Sequence, residues 1–301
     1  MNNILLLFLC LVAGIALRRY GRVPDNAPGT LNAVIIHISL PALILLQIHA
    51  IHLRPALLLA AAMPWLLFAA SCIVFLLVGR LLALTSQTTG ALMMMGGLSN
   101  TSFIGLPMIE SFFGRDEMAT GILIDQLGTY LVLSTAGIAV ACTFASGTAS
   151  SLEIAKRVVT FPPLIALVCA VALLPVAYPP SLVAILQRLG DTLAPLALIS
   201  VGLQLRLGLL AQNRTPLALG LSFKLVLAPL LIGLVYLGIF HLSDRTAQVT
   251  VFESAMAPQI GGAIVAAQYG LDADLITLMV GFGTVLAFLT LPVWASVLLA
   301  M

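Results

Sequence analysis

The chain has 301 residues, of which 61% are hydrophobic and only 8% charged, with a formal net charge of +2 and a mean hydropathy of +1.16. A water-soluble domain carries about 25% charged residues, so this composition excludes an ordinary soluble fold and places the chain in lipid. The small net charge, with no basic cluster and no aromatic-basic interleaving, excludes a nucleic-acid partner.

The N-terminal apolar stretch has no positive charge ahead of it, and Arg18, Arg19 and Arg22 follow it instead, the reverse of a secretory signal. It reads as a retained first membrane span. A hydrocarbon core about 30 Å thick takes about 20 apolar helical residues. That window fits the chain ten times, at 3–20, 31–50, 55–79, 88–112, 118–145, 160–177, 182–205, 215–240, 247–268 and 274–299. Polar breaks at 21–29, 146–157 and 272–274 punctuate the series. The longest connection, 146–159, divides the chain into two units, 1–145 and 160–301, of five spans each. Because five is odd, the second unit enters the membrane in the opposite sense, and an internal repeat is then an inverted one. The prolines are placed to match it. Pro41 in span two corresponds to Pro195 in span seven, and Pro107 in span four to Pro258 in span nine. Counting basic residues with the N-terminus outside puts Arg18, Arg19, Arg22, Arg80, Lys156, Arg157, Arg206 and Arg214 on the cytoplasmic side. Arg54, Arg115, Arg188 and Arg245 fall on the outer side. The positive-inside bias therefore sets both termini outside.

Two stretches interrupt the apolar pattern in corresponding places of the halves: GGLSNTSFIGLP at 96–107 and ESAMAPQIGGAIVA at 253–266. A spanning helix is broken only where the freed backbone groups meet protein, water or ligand, and paired broken segments point to a midplane substrate site in a transporter. The expected fold is an all-α membrane protein of ten transmembrane helices in two inverted five-helix repeats, with broken helices four and nine crossing so that Asn100 and Pro258 come close. Half-helix N-termini at such a crossing attract a carboxylate and free carbonyls suit cations. The substrate-binding candidates in span four are Asn100, Thr101, Ser102, Gly105 and Pro107. Those in span nine are Ser254, Pro258, Gln259 and Gly261. Pro41 and Pro195 are candidate hinges lining the site. Small and hydroxyl residues also serve close helix packing, so Asn100, an amide beside a helix break, is the most pointed of the set.

Ionisable residues inside spans usually face a cavity or a partner. Asp125, with Gln126 and Thr129 nearby, is a proton or cation site or else a structural hydrogen-bond anchor. Glu253, five residues before Pro258, either pairs with the crossing or titrates during transport. Lys224 either neutralises a carboxylate such as Glu253 or snorkels toward the cytoplasmic face. Asp191 and Glu110 sit nearer helix ends and read as solvated. His37 in span two is a packing residue rather than a proton shuttle, while His49, His52 and Arg54 cluster at an external helix end. The four cysteines are scattered singly, and Met93–Met95 are a flexible packing surface. No cofactor or metal site is expected.

The segments GIALRRYGRVPDNAPGTLNAVIIHISLPALIL, SNTSFIGLP, LGDTLAPLALISVGLQL at 189–205, KLVLAPLL at 224–231 and ESAMAPQ at 253–259 follow one another along nearly the whole chain. In that order the sequence resembles the auxin efflux carrier family. The resemblance implies two inverted five-helix repeats with spans four and nine crossing at unwound centres, as in the bile acid sodium symporter fold. It also implies transport of small organic acids, with dicarboxylates such as malate or malonate typical of bacterial members. The short connection after span five matches the compact bacterial branch, which makes auxin a poor substrate candidate. No Walker, HExxH, GxSxG or paired-aspartate arrangement is present, so neither ATP hydrolysis nor an intramembrane enzyme is expected. A channel predicts a polar stripe along several helices or a ring of charges, whereas the polar positions here concentrate at one depth. The reading is a secondary transporter, or permease, of small organic anions in a bacterial inner membrane, proton- or sodium-coupled or an efflux uniporter, with an organic-anion channel or a non-transporting membrane sensor as the alternative. Its expected partners are substrate, lipid and a coupling proton or sodium ion, with a homodimer as the oligomer considered.

Overall fold

The computed structural model describes residues 2–24, 26–49, 58–145, 156, 159–204, 210 and 213–301. These are mostly helical, with no strand among them. Apolar runs become helices because lipid supplies no hydrogen-bond partner and a helix satisfies its backbone internally. In chain order the helices are α1 (Asn2–Arg19), α2 (27–49), α3 (Leu58–Leu81), α4 (Ser86–Gly97), α5 (101–112), α6 (Met118–Phe144), α7 (Pro162–Ala172), α8 (180–204), α9 (Arg214–Ile239), α10 (Arg245–Ser254), α11 (Ile260–Gln268) and α12 (Ala273–Leu299). Six of them, α2, α3, α6, α8, α9 and α12, are long and apolar enough to cross a membrane.

Window 3–20 is the single helix α1, and the other three windows depart from single uninterrupted spans, each for a local reason. Window 88–112 is split between α4 and α5, and window 247–268 between α10 and α11. Window 160–177 holds a helix of only 11 residues, about 16 Å at 1.5 Å per residue. Pro175 lies just past its C-cap Leu173, and a proline there cannot continue the helix. Most of the 146–159 connection lies outside the described residues, as do His52, Arg54, Arg157 and Arg206.

Several long helices contain a widened π turn: Ile35–Ser39 in α2, Ile124–Thr129 and Leu133–Gly137 in α6, and Phe223–Leu227 and Leu234–Ile239 in α9. Such turns recur at functional sites. Asp125 and Lys224 each sit in one.

The helices pack as two groups. The first is α1, α2, α7 and α8. Without a hydrophobic force between helices in lipid, close approach relies on small residues, and here Gly14 of α1 faces Gly202 of α8. A Cβ added to either would lie 2.9 Å from the other's Cα. Hydroxyl pairs complete the seam: Ser200 Oγ donates to Asn32 Oδ1 at 2.7 Å, and the Ser39 and Thr192 hydroxyls pair at 2.8 Å. The second group gathers α3 to α6 and α9 to α12, with α12 against α4, α9, α10 and α11. Pro64, inside α3, is seated against Gly128 of α6, where a Cβ would meet its ring at 2.5 Å. Thr88 Oγ1 ties α4 to Asp272 Oδ2 ahead of α12 at 2.8 Å.

Candidate functional site

The two breaks lie against each other. Past Gly97 the chain runs extended through Leu98–Asn100, and past Ser254 it leaves the helix until Ile260. The two pieces run antiparallel with Ser99 opposite Pro258. Asn100 N donates to Ala257 O at 2.8 Å and Gln259 N to Leu98 O at 3.0 Å. These bonds flank the Ser99/Pro258 pair, so position 258 needs no N–H to complete the bridge and a proline fits there without losing a bond. Groups freed by breaking two helices are thus paired with each other, as an apolar interior demands. Helices α4 and α10 aim their negative C-terminal ends at this point, and α5 and α11 their positive N-terminal ends.

Side chains add polarity on every face. Asn100 Oδ1 caps α5 by accepting from Phe103 N at 3.2 Å, while its Nδ2 is buried with no partner. Gln259 Oε1, across the crossing, is also buried without one. Thr101 Oγ1 donates to Asp125 Oδ1 at 2.5 Å and lies 3.2 Å from Thr129 Oγ1. Gln126 Nε2 donates to Asp125 Oδ2 at 2.8 Å, and Ser102 is a further partner of that carboxylate. On the opposite side Glu253 is fully buried, and neither carboxylate oxygen has a hydrogen-bond partner. The oxygens press on Gly105, where a Cβ would lie 2.5 and 2.6 Å from them. Only glycine leaves that room. Lys224, also fully buried, donates to Ser99 Oγ at 2.5 Å and to Ser254 O at 3.1 Å. Glu253 is within electrostatic range of both Asp125 and Lys224.

Two cavities meet here. A small one of about 10 Å³ is lined by Asn100, Thr101, Ser102, Phe103, Tyr130, Leu193, Gln259 and Gly261, room for about one water molecule. A cleft of about 550 Å³ lies between the helix groups, within the size range of small-molecule sites. One wall is Leu6, Leu43, Gln187, Gly190, Asp191, Ala194 and Pro195, and the other Ser102, Phe103, Leu106, Pro107, Glu110 and Met118. Ser102 and Phe103 belong to both cavities, so the cleft leads to the crossing. Among the described residues its wall carries two carboxylates and no lysine or arginine.

Of the residues singled out in the sequence, Asn100, Thr101, Ser102, Gly105, Ser254, Pro258, Gln259, Gly261, Asp125, Glu253 and Lys224 come together at the crossing. Pro107 and Pro195 face each other across the cleft, whereas Pro41 lines neither cavity. Lys224 does not snorkel, because Ser99 and Ser254 hold its amine inside the protein. Ser254 contributes its carbonyl; its hydroxyl is turned back to Val251 O at 2.6 Å. Asp191 and Glu110 are exposed in the cleft. His37 Nδ1 is 2.9 Å from Ala33 O of its own helix, and His49 stacks on Tyr178. Ser99, the acceptor for Lys224, escaped sequence reasoning; its only signal is its place beside Asn100 in SNTS.

A family model described as membrane transport protein matches residues 1–146 and 148–295. An uncharacterized transporter of Methanothermobacter thermautotrophicus is 28% identical over 301 residues, covering 99% of this chain and 98% of its own. An uncharacterized transporter of Methanocaldococcus jannaschii is 24% identical over 308 residues, covering 99% of each. With nearly the whole length matched, and apolar helices packed around a polar crossing, the chain belongs to the membrane transport protein family, that of the auxin efflux carriers.

Proposed function

We propose that this protein is a secondary transporter of small organic anions, such as mono- or dicarboxylates, working by alternating access. The observation that carries the reading is the crossing itself. Two half-helix N-termini and the buried, unpartnered Asn100 Nδ2 converge on a cavity that shares Ser102 and Phe103 with the larger cleft. A carboxylate fits those donors. The crossing cavity, at about 10 Å³, is too small for any carboxylate, so binding requires the two helix groups to separate there. A channel needs a continuous path, and the cavity at the crossing is too small to pass a carboxylate.

In this reading the chain makes ten spans in two inverted repeats, with α4 and α5 as span four and α10 and α11 as span nine. It lies in a bacterial inner membrane with both termini outside. The cleft, which reaches Leu6 near the start of α1, then opens outward. Thr101, Ser102, Gly105, Pro107, Pro195, Ser254, Pro258, Gln259 and Gly261 frame the substrate, and Asp125, Glu253 and Lys224 set its coupling to a proton or sodium ion. The acidic cleft supports coupling, since an anion passing Glu110 and Asp191 travels more easily with a cation or as the protonated acid. A homodimer is the assembly proposed.

Counterflow tests it. Proteoliposomes loaded with unlabelled mono- and dicarboxylates in turn should take up the matching labelled acid transiently above equilibrium. A linear, non-saturating flux with no counterflow for any acid of the panel would replace the carrier by a channel.

A further inference from the structure

A buried lysine reaches the crossing. Helices α4 and α10 end there with partial negative charge on their last carbonyls, a position that favours a cation, and unwound carbonyls at such breaks coordinate sodium in transporters that use it. In this chain the oxygens are engaged by a side chain. The Lys224 amine, fully buried, takes Ser99 Oγ from one broken segment at 2.5 Å and Ser254 O from the other at 3.1 Å. Among the described residues nearby, Glu253 is the carboxyl group with no donor of its own: its two oxygens are buried and unpartnered, and it lies within electrostatic range of Lys224. Lys224 also sits in the widened turn Phe223–Leu227.

We propose that the Lys224 ammonium is a tethered cation filling the place at the crossing that an alkali ion would otherwise take, so that substrate binding there needs no sodium. A hydroxyl, a carbonyl and a nearby carboxylate are hard oxygen ligands that suit Na⁺ and NH₃⁺ alike, and one position cannot hold both. Lys224 is thus a positioning residue. It fixes Ser99 and the end of α10, and through them the separation of the two breaks, without touching the substrate. The inference rests on the carrier reading and adds to it the identity of the cation.

The experiment has three arms. First, counterflow by the parent protein with all sodium replaced by N-methylglucamine should stay within about twofold of its rate in sodium; a strict sodium requirement overturns the proposal. Second, Lys224→Ala should lose about tenfold or more in apparent substrate affinity, the scale of a lost charge-assisted bond. It should regain most of that loss in about 50 mM sodium or methylammonium, cations small enough for the vacated position, whereas Lys224→Met, which fills the space, should not be rescued. A folded Lys224→Ala that keeps parental affinity, or loses it with no rescue by either cation, overturns it. Third, sodium should raise the unfolding temperature of Lys224→Ala by about 2 °C or more and leave the parent unchanged, by binding linkage. This arm needs no transport. If the parent shows no counterflow, the transport reading fails while the thermal shift still decides the cation, and if Lys224→Ala cannot be purified folded, the first arm decides.

Discussion

The two carboxylates flanking the crossing are equally buried and oppositely provided for. Asp125 receives Thr101, Gln126 and Ser102, whereas Glu253 has no hydrogen-bond donor and rests on the bare face of Gly105. A buried acceptor that is fully met is part of the framework, and one left unmet must be satisfied from outside the framework, by a proton or a passing cation. Within the proposed coupling set, we infer from this difference that Asp125 serves as the anchor and Glu253 as the group that exchanges its partner. Asp125 is also wired to the substrate side of the crossing through Thr101 and Ser102, both of which line the small cavity.

The strongest way to break this contrast is Asp125→Ala, which strands two buried donors, Thr101 and Gln126, at about 1 kcal/mol or more each. A stability loss of about 2 kcal/mol or more is expected in thermal or denaturant unfolding, with transport lost alongside. Next, Asn100→Ala removes the donor aimed into the cavity and should weaken apparent affinity about tenfold or more, the scale of a hydrogen bond to a charged group, with expression near normal; parental transport at subsaturating substrate would reduce Asn100 to a helix cap. Thr129→Val deletes the contact with Thr101 and a long bond to Ile124 O at 3.5 Å and should cost about 1 kcal/mol of stability without abolishing counterflow. The smallest stability effect, under about 0.5 kcal/mol, is expected for Glu253→Gln, yet it discriminates best. Exchange should persist while accumulation driven by an inward proton gradient disappears, because exchange never requires the site to discharge. Asp125→Asn should lower both together, since its amide presents a second donor toward Gln126. If instead Asp125→Asn separates the two activities and Glu253→Gln does not, the roles are reversed.

Much of this was legible in the residues. The long runs that became α3 and α12 read directly, because an apolar stretch of that length has few alternatives to a spanning helix. The breaks at 98–100 and 255–259 read almost as well, since glycine, proline and an amide in a hydrocarbon run conflict with a plain helix. The length of α7 did not, because Pro175 ends the helix while the residues beyond it remain apolar. Nor did the state of the ionisable groups. Nothing local distinguishes Asp125, met by the next residue and by a segment more than twenty positions earlier, from Glu253, met by nothing. Ser99 was invisible for the same reason. A serine among apolar residues becomes an ammonium acceptor only when a helix 125 residues away delivers the lysine.

The seam between the broken segments is written in main chain. Asn100 N to Ala257 O and Gln259 N to Leu98 O survive every side-chain replacement except proline at 100 or 259. Chemistry and geometry are therefore uncoupled at this point. In the proposed carrier the residues at 100, 101, 259 and 261 can be exchanged to suit a bulkier, more polar or uncharged cargo while the segments that present them stay in register. Redesign of cargo preference should begin at those four positions, and Asn100→Pro or Gln259→Pro should unfasten the crossing whatever the cargo.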